Sequence, residues 1–378
     1  MTIAITPTTL APAIAGVAYT SATLTVTGGV APYAWDISGI PTEFDLAVDP
    51  GGGTAVLTST TNSSDAGSPF TITVRLTDNN LDTHLQTFSL TVLPYGSVLH
   101  DFGDGLVGAV THANGGGLVA LSATVDATAY VGSGAVVYGT ARVQGYAKVY
   151  DTAKVFGNAL LKGNALVYGT AQVSGNAVMQ DYAQAYDAAL VNGNALLTGN
   201  CQVFDTATAT DSCVLSGYAA VYGSCIVGGA ATLTENCKVY GAASVSGSAK
   251  LFGAAKIYGS AIVQGSAQIS GNVVIYDNAV VEQESKVFGS AIILETARLQ
   301  GAVNVSEFAT IRGSALALGQ AKVAGTVIIN GAAVVQGAAT VKGNARVGGV
   351  AIIQGRATIQ GTAEVITATV EGDTTLNS

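Results

Sequence analysis

No stretch of this sequence holds the roughly 18 uninterrupted apolar residues that a membrane-spanning helix needs, so no membrane insertion is expected. Charge is scarce as well: Asp, Glu, Lys and Arg make up 10% of the 378 residues, with a net charge of −9. The Lys and Arg clusters that hold nucleic-acid phosphates are missing, so nucleic acid is not an expected partner. Histidine occurs only at His84, His100 and His112, and nowhere later in the chain. The start, MTIAITPTTLAP, has neither the basic region nor the apolar run of a secretion signal, so export by a standard leader is not expected.

Glycine is plentiful, with 48 residues spread along the chain among many small and aliphatic ones. That profile is neither disordered nor collagen-like, and the length allows two or three domains. The acidity is concentrated early: residues 1–93 hold Asp36, Glu43, Asp45, Asp49, Asp65, Asp78 and Asp82 against Arg75 alone.

Within 1–93, runs such as ATLTVTG, FTITVRL and QTFSLTV alternate apolar with polar residues between turn signals GGVAP, DPGGG and DNNLD. This is the period of half-buried antiparallel strands, spaced as in a sandwich. The segments AGVAYTSATLTVTGGVAPYAWDISG and FTITVRLTDNNLDTHLQTFSLTV resemble the immunoglobulin-like and cadherin-like domains of bacterial and phage surface proteins. The resemblance implies a spacer or attachment module. Asp78 and Asp82 raise the question of calcium, as in some cadherin-like relatives; with no full oxygen-ligand set visible, they are read as part of a solvated turn.

Residues 94–118 form a Gly-rich connector and cap, and at Val119 a six-residue period begins. Its first position is Val, Leu, Ile or Met up to Val365, except at Ala185, Ala209 and Ala317, and its fifth is nearly always Ala. The third is usually Gly, otherwise mostly Asp or Glu. In such a hexad the Ala and the aliphatic residue, two apart, face inward, and the Gly pair turns a corner. Forty-two hexads fill 119–370, and 371–378 are left as a tail.

The hexads resemble those of the hexapeptide-repeat left-handed β-helix superfamily. The resemblance implies an all-β chain: an immunoglobulin-like β-sandwich followed by a triangular single-stranded left-handed β-helix. Three hexads per coil give about 14 coils of 18 residues and a length of roughly 67 Å. Many members of that superfamily are acyltransferases and some are carbonic anhydrases, using a histidine base or three zinc-binding histidines. Here every histidine precedes the first hexad, so no catalytic residue, metal or cofactor is expected, and His112 in THANGGG is read as part of a cap. Cys201, Cys213, Cys225 and Cys237 all occupy the inward fifth position; the two sharing a face lie two coils apart, beyond disulfide reach. They are read as small buried hydrophobes.

Among outward positions, every eighteenth residue from Tyr150 is aromatic: Tyr150, Tyr168, Tyr186, Phe204, Tyr222, Tyr240, Tyr258 and Tyr276. Such a ladder would span roughly 34 Å. Self-stacking accounts for it without a partner. A strip of that size also exceeds the few hundred Å² of apolar patch that solitary proteins expose, which points to self-association or docking to a larger assembly, with a cell-surface glycan as a further option. At one corner, Tyr146, Tyr182 and Tyr218 alternate with Asn164, Asn200 and Asn236. The T-x-T pairs at Thr208/Thr210 and Thr232/Thr234 are isolated, which argues against an ice-binding face.

The expected function is a non-enzymatic structural or attachment protein. A tailed-phage virion component, as capsid decoration protein or fibre, comes first; a bacterial surface adhesin or filament subunit second; a hexapeptide acyltransferase relative third.

Overall fold

The structure, a computed structural model, describes residues 2–19, 22–59 and 68–378. Asp65, counted among the early acids, lies outside the described residues. Among the described residues every regular element is a strand. The chain forms two compact units, Met1–Thr111 and His112–Ser378.

In the first unit, β1 (Ala4–Thr6), β3 (Ala22–Thr27), β5 (Phe44–Val48) and β6 (Thr54–Ser59) make one antiparallel sheet in the order β1-β3-β6-β5. A second contains β4 (Ala34–Ser38), β7 (Phe70–Thr77) and β8 (Thr83–Leu90), and β2 (Ala13–Ile14) pairs with β9 (Val92–Leu93). The alternation in ATLTVT and FTITVRLT turns one side of each strand inward. Ile5, Leu24, Leu57, Ile72, Val74, Leu76, Phe88 and Leu90 meet in one core between the sheets. The unit ends with the antiparallel hairpin of β10 (Val98–Asp101) and β11 (Leu106–Thr111). The connector expected at 94–118 is thus divided: the hairpin belongs to the first unit and 112–118 to the second.

Asp78 is not solvated as the sequence suggested. It is buried, and its carboxylate accepts the N–H groups of Val30 (2.9 Å), Asn80 (2.9 Å) and Asp82 (3.0 Å). Its oxygens are thus occupied by three backbone donors, and Asp82 contributes backbone only.

The second unit is a parallel β-solenoid of about 14 turns, with an 18-residue step between paired strands. Three parallel ladders run along it. The first begins at Leu118–Ala120, Val136–Val137 and Lys154–Val155; the second at Thr124–Val125 and Arg142–Val143; the third at Tyr130–Val131 and Lys148–Val149. Each strand is short because each hexad contributes one outward and one inward residue before the next corner. The coils are bound by bonds such as Leu166 N–H to Ala183 O (3.0 Å) and Tyr168 N–H to Ala185 O (3.1 Å). Between the ladders the aliphatic and Ala positions are almost completely excluded from solvent. Each aliphatic side chain so buried is worth about 1.5–3 kcal/mol.

The corners explain the third position. It sits at positive φ whether the residue is Gly139 (69°), Asp151 (55°) or Glu235 (60°). Where it is acidic, the carboxylate in most cases accepts the N–H of the corner residue one coil on. Asp151 takes Gly169 N–H at 2.9 Å, Asp205 takes Gly223 at 2.9 Å, Asp211 takes Gly229 at 2.7 Å and Glu235 takes Gly253 at 2.8 Å. An acid there thus offsets part of its backbone strain by tying two coils together.

The ends depart from the strict period. At the start, Asn114 Nδ2 donates to Ala129 O (2.8 Å), Val131 N–H to Asn114 O (3.1 Å) and Gly117 N–H to Val131 O (2.9 Å), so HANGGG seats on the first coil. A Cβ at Gly115 would lie 2.3 Å from Val131 O, so only glycine fits there. At the far end the six-residue spacing stops after Val365: Ile353 pairs with Val370 and Ile359 with Leu376, a step of 17 residues. The turn at 366–368 is one residue short, and the segment expected as a tail supplies the strand Thr375–Asn377.

Candidate functional site

The third solenoid ladder places Tyr150, Tyr168, Tyr186, Phe204, Tyr222, Tyr240, Tyr258 and Tyr276 in one column, each directly after the buried aliphatic residue of its strand. Parallel in-register pairing repeats identical side chains at the strand spacing, and aromatic rings respond by stacking. From Tyr168 to Tyr276 successive ring centroids lie 4.7–4.9 Å apart, with planes within 8° of parallel.

The sequence did not announce how the column starts. Tyr150 packs against Tyr130, at 4.7 Å and 38°, although Tyr130 belongs to the neighbouring outward column. Its ring leans over Gly132, where a Cβ would come within 3.4 Å of it. A second, shorter stack, Tyr138 on Phe156 (4.9 Å, 2°), stands on another face.

Stacking decides what the ladder offers to a partner. All eight rings are half-buried. From Tyr186 to Tyr258 both faces of each ring are covered by its neighbours, so a sugar ring has no aromatic face to lie on there. The surface presented is a row of ring edges and phenol hydroxyls. Desolvation raises the phenol pKa of Tyr168, Tyr222, Tyr240 and Tyr258, aided by neighbouring acids, rings or Cys225. Tyr186 is pushed up to about 12 by desolvation first, then by Tyr168, Asp187 and Asp205. The hydroxyls therefore stay neutral donors across the ordinary pH range.

Outward Lys148, Lys238 and Lys256 flank the ladder on one side, and the corner acids Asp151, Asp187, Asp205 and Asp277 follow it on the other. The face is thus edged by basic side chains on one border and carboxylates on the other.

The four cysteines are free and fully buried. Burial pushes the thiols of Cys201, Cys213 and Cys225 up to about 12 and that of Cys237 to about 11. Cys225 donates to Val239 O at 3.3 Å. His84 lies 3.4 Å from the Gln86 amide oxygen, His100 packs edge-on to Phe102, and His112 Nδ1 lies 3.1 Å from Asn114 O within the cap. Among the described residues, no three His, Cys, Asp or Glu side chains are grouped so as to hold a metal ion.

An ion pair that sequence reading missed, between buried Glu282 and exposed Arg298, stands on another face. Glu282 accepts from Gln264 (2.9 Å) and from Arg298 Nε (2.8 Å), and Arg298 Nη2 also bonds it. Burial alone would raise the Glu282 carboxyl; the Gln264 and Arg298 contacts outweigh it and hold the carboxyl below its usual range. The signal was the 18-residue relation of Gln264 to Glu282.

No protein-family model matches the chain, and a search of curated proteins finds none similar to it.

Proposed function

We propose that this protein is a non-enzymatic structural or attachment component of an assembled surface. In this reading the solenoid is a rigid left-handed β-helix of the hexapeptide-repeat type, and the first unit is an immunoglobulin-like anchor or spacer. The setting we favour is the virion of a tailed phage, as a capsid decoration protein or fibre. The paired resemblances to bacterial and phage surface modules support that setting, and capsid and tail genes flanking the coding sequence are the expected context.

The observation that carries the reading is the ladder, a straight row of neutral phenols and ring edges at 4.7–4.9 Å intervals. A partner with another repeat would fall out of step after a few rungs. A second copy shares the pitch and keeps every contact in register. The lysines on one border of the face and the carboxylates on the other can also pair across such an interface.

The test is a Tyr222→Ser, Tyr240→Ser double variant compared with wild type by sedimentation equilibrium. Wild type is expected to self-associate and the variant to shift to the monomer. A wild type that is monomeric throughout, or a variant of unchanged mass, overturns the reading.

A further inference from the structure

Among the described residues the solenoid's most exposed tyrosines are not in the ladder. Tyr146, Tyr182 and Tyr218 stand at one corner and are 64%, 58% and 64% exposed. Among the described residues no ring packs against them and their hydroxyls have no partner. Asn164 and Asn200 lie between them and Asn236 one coil beyond Tyr218; all three are exposed and their side-chain amides are likewise unpaired.

The contrast with another corner is informative. There Asn158 donates to Asn176 and Asn176 to Asn194, both at 3.0 Å, and Thr140 bonds Asn158. Asparagines repeated every coil satisfy one another. At the tyrosine corner the alternation of Tyr with Asn separates like residues by two coils, which breaks both the ring stack and the amide ladder. It leaves open rings and free amides in strict alternation.

We propose that this corner is a binding strip for an extended β-1,4-linked glycan. Open tyrosine rings are the platforms on which the apolar faces of sugar rings stack, and primary amides both donate to and accept from sugar hydroxyls. The rings recur every two coils, roughly 9.6 Å by strand spacing. In an extended β-1,4-linked chain every second sugar presents the same face, with a repeat of ~10 Å, so successive tyrosines meet equivalent sugars. The asparagines fall opposite the intervening sugars, whose hydroxyls they reach. Three rings and three amides accommodate five to six sugars. From Tyr186 to Tyr258 the ladder lacks both features, since its ring faces are covered and its spacing is half as long. This inference deepens the attachment reading by naming a ligand, and it does not depend on self-association through the ladder.

The test is isothermal titration of the full chain with cellohexaose and chitohexaose, with maltohexaose, an α-linked chain that curls, as control. At least one β-1,4-linked hexasaccharide is expected to bind and maltohexaose not to. Tyr182→Ala should weaken binding roughly 3- to 10-fold. The triple Tyr146→Ala, Tyr182→Ala, Tyr218→Ala variant should abolish it. Tyr182→Phe, which keeps the ring, should stay within about twofold of wild type, and Tyr222→Ser, Tyr240→Ser should leave it unchanged. No binding of either β-1,4-linked probe, equal binding of maltohexaose, or undiminished binding by the triple variant overturns the strip. A wild type that self-associates but binds neither probe overturns the strip alone, leaving the assembly reading in place.

Discussion

At the corner position, Asp205 holds φ at 58° and accepts Gly223 N–H at 2.9 Å. An L residue at such a φ costs about 1–2 kcal/mol, and its carboxylate returns part of that through the bond to the next coil. Asp205→Gly, which loses the bond and the strain together, is expected to change stability by less than about 1 kcal/mol. Asp205→Ala, which loses the bond and keeps the strain, should cost about 1–2 kcal/mol; chemical denaturation of both variants checks the order. The inward cysteines give a second residue-scale prediction. With thiols raised to about 11–12 and no exposure, none of the four should react with a disulfide reagent at pH 8 in the folded protein, and all four should react after unfolding. That third-position residues are Gly or acid is plain in the sequence. Why an acid serves there is not, because its partner N–H lies 18 residues away across a coil boundary.

At the scale of the element, the ladder couples the fold to alkaline pH. The phenol of Tyr186 is raised from 10.0 to about 12, and those of Tyr168, Tyr222, Tyr240 and Tyr258 are raised in the same direction. Because the folded values exceed the unfolded one, the stabilisation is complete below pH 10 and is lost as pH rises through 10 toward 12. Ultraviolet titration should show these five tyrosines ionising above the ordinary phenol range, with thermal stability falling over the same interval. The membership of the ladder was legible in an 18-residue count. Its ring geometry was not: the count could not tell a column with open faces from one with covered faces, nor show that Tyr130 would lean across to meet Tyr150. The same count placed the corner tyrosines without showing that their two-coil spacing leaves them unstacked.

At the scale of the molecule, the hexad made the solenoid readable because one inward aliphatic, one inward Ala and one corner recur with little interruption, and only a coil of three such units buries all the inward residues. The shortened last coil was hidden because Val365 and Val370 still present aliphatic residues, and only the pairing of Ile353 with Val370 reveals the lost residue. In the first unit the alternating strands were legible, but the role of Asp78 was not, since the Val30 N–H it binds lies 48 residues away.

The central claim, that the ladder face is where copies meet, is tested most directly by blocking one face at a time. Lys238 and Lys250 are both exposed outward residues; the first flanks the ladder and the second stands on a different face. Because the native cysteines are buried, a bulky maleimide can be placed selectively at Lys238→Cys or at Lys250→Cys. Sedimentation should then show the Lys238→Cys adduct as a monomer and the Lys250→Cys adduct associating like wild type. Equal association of the two adducts, or loss at Lys250→Cys alone, would contradict the account.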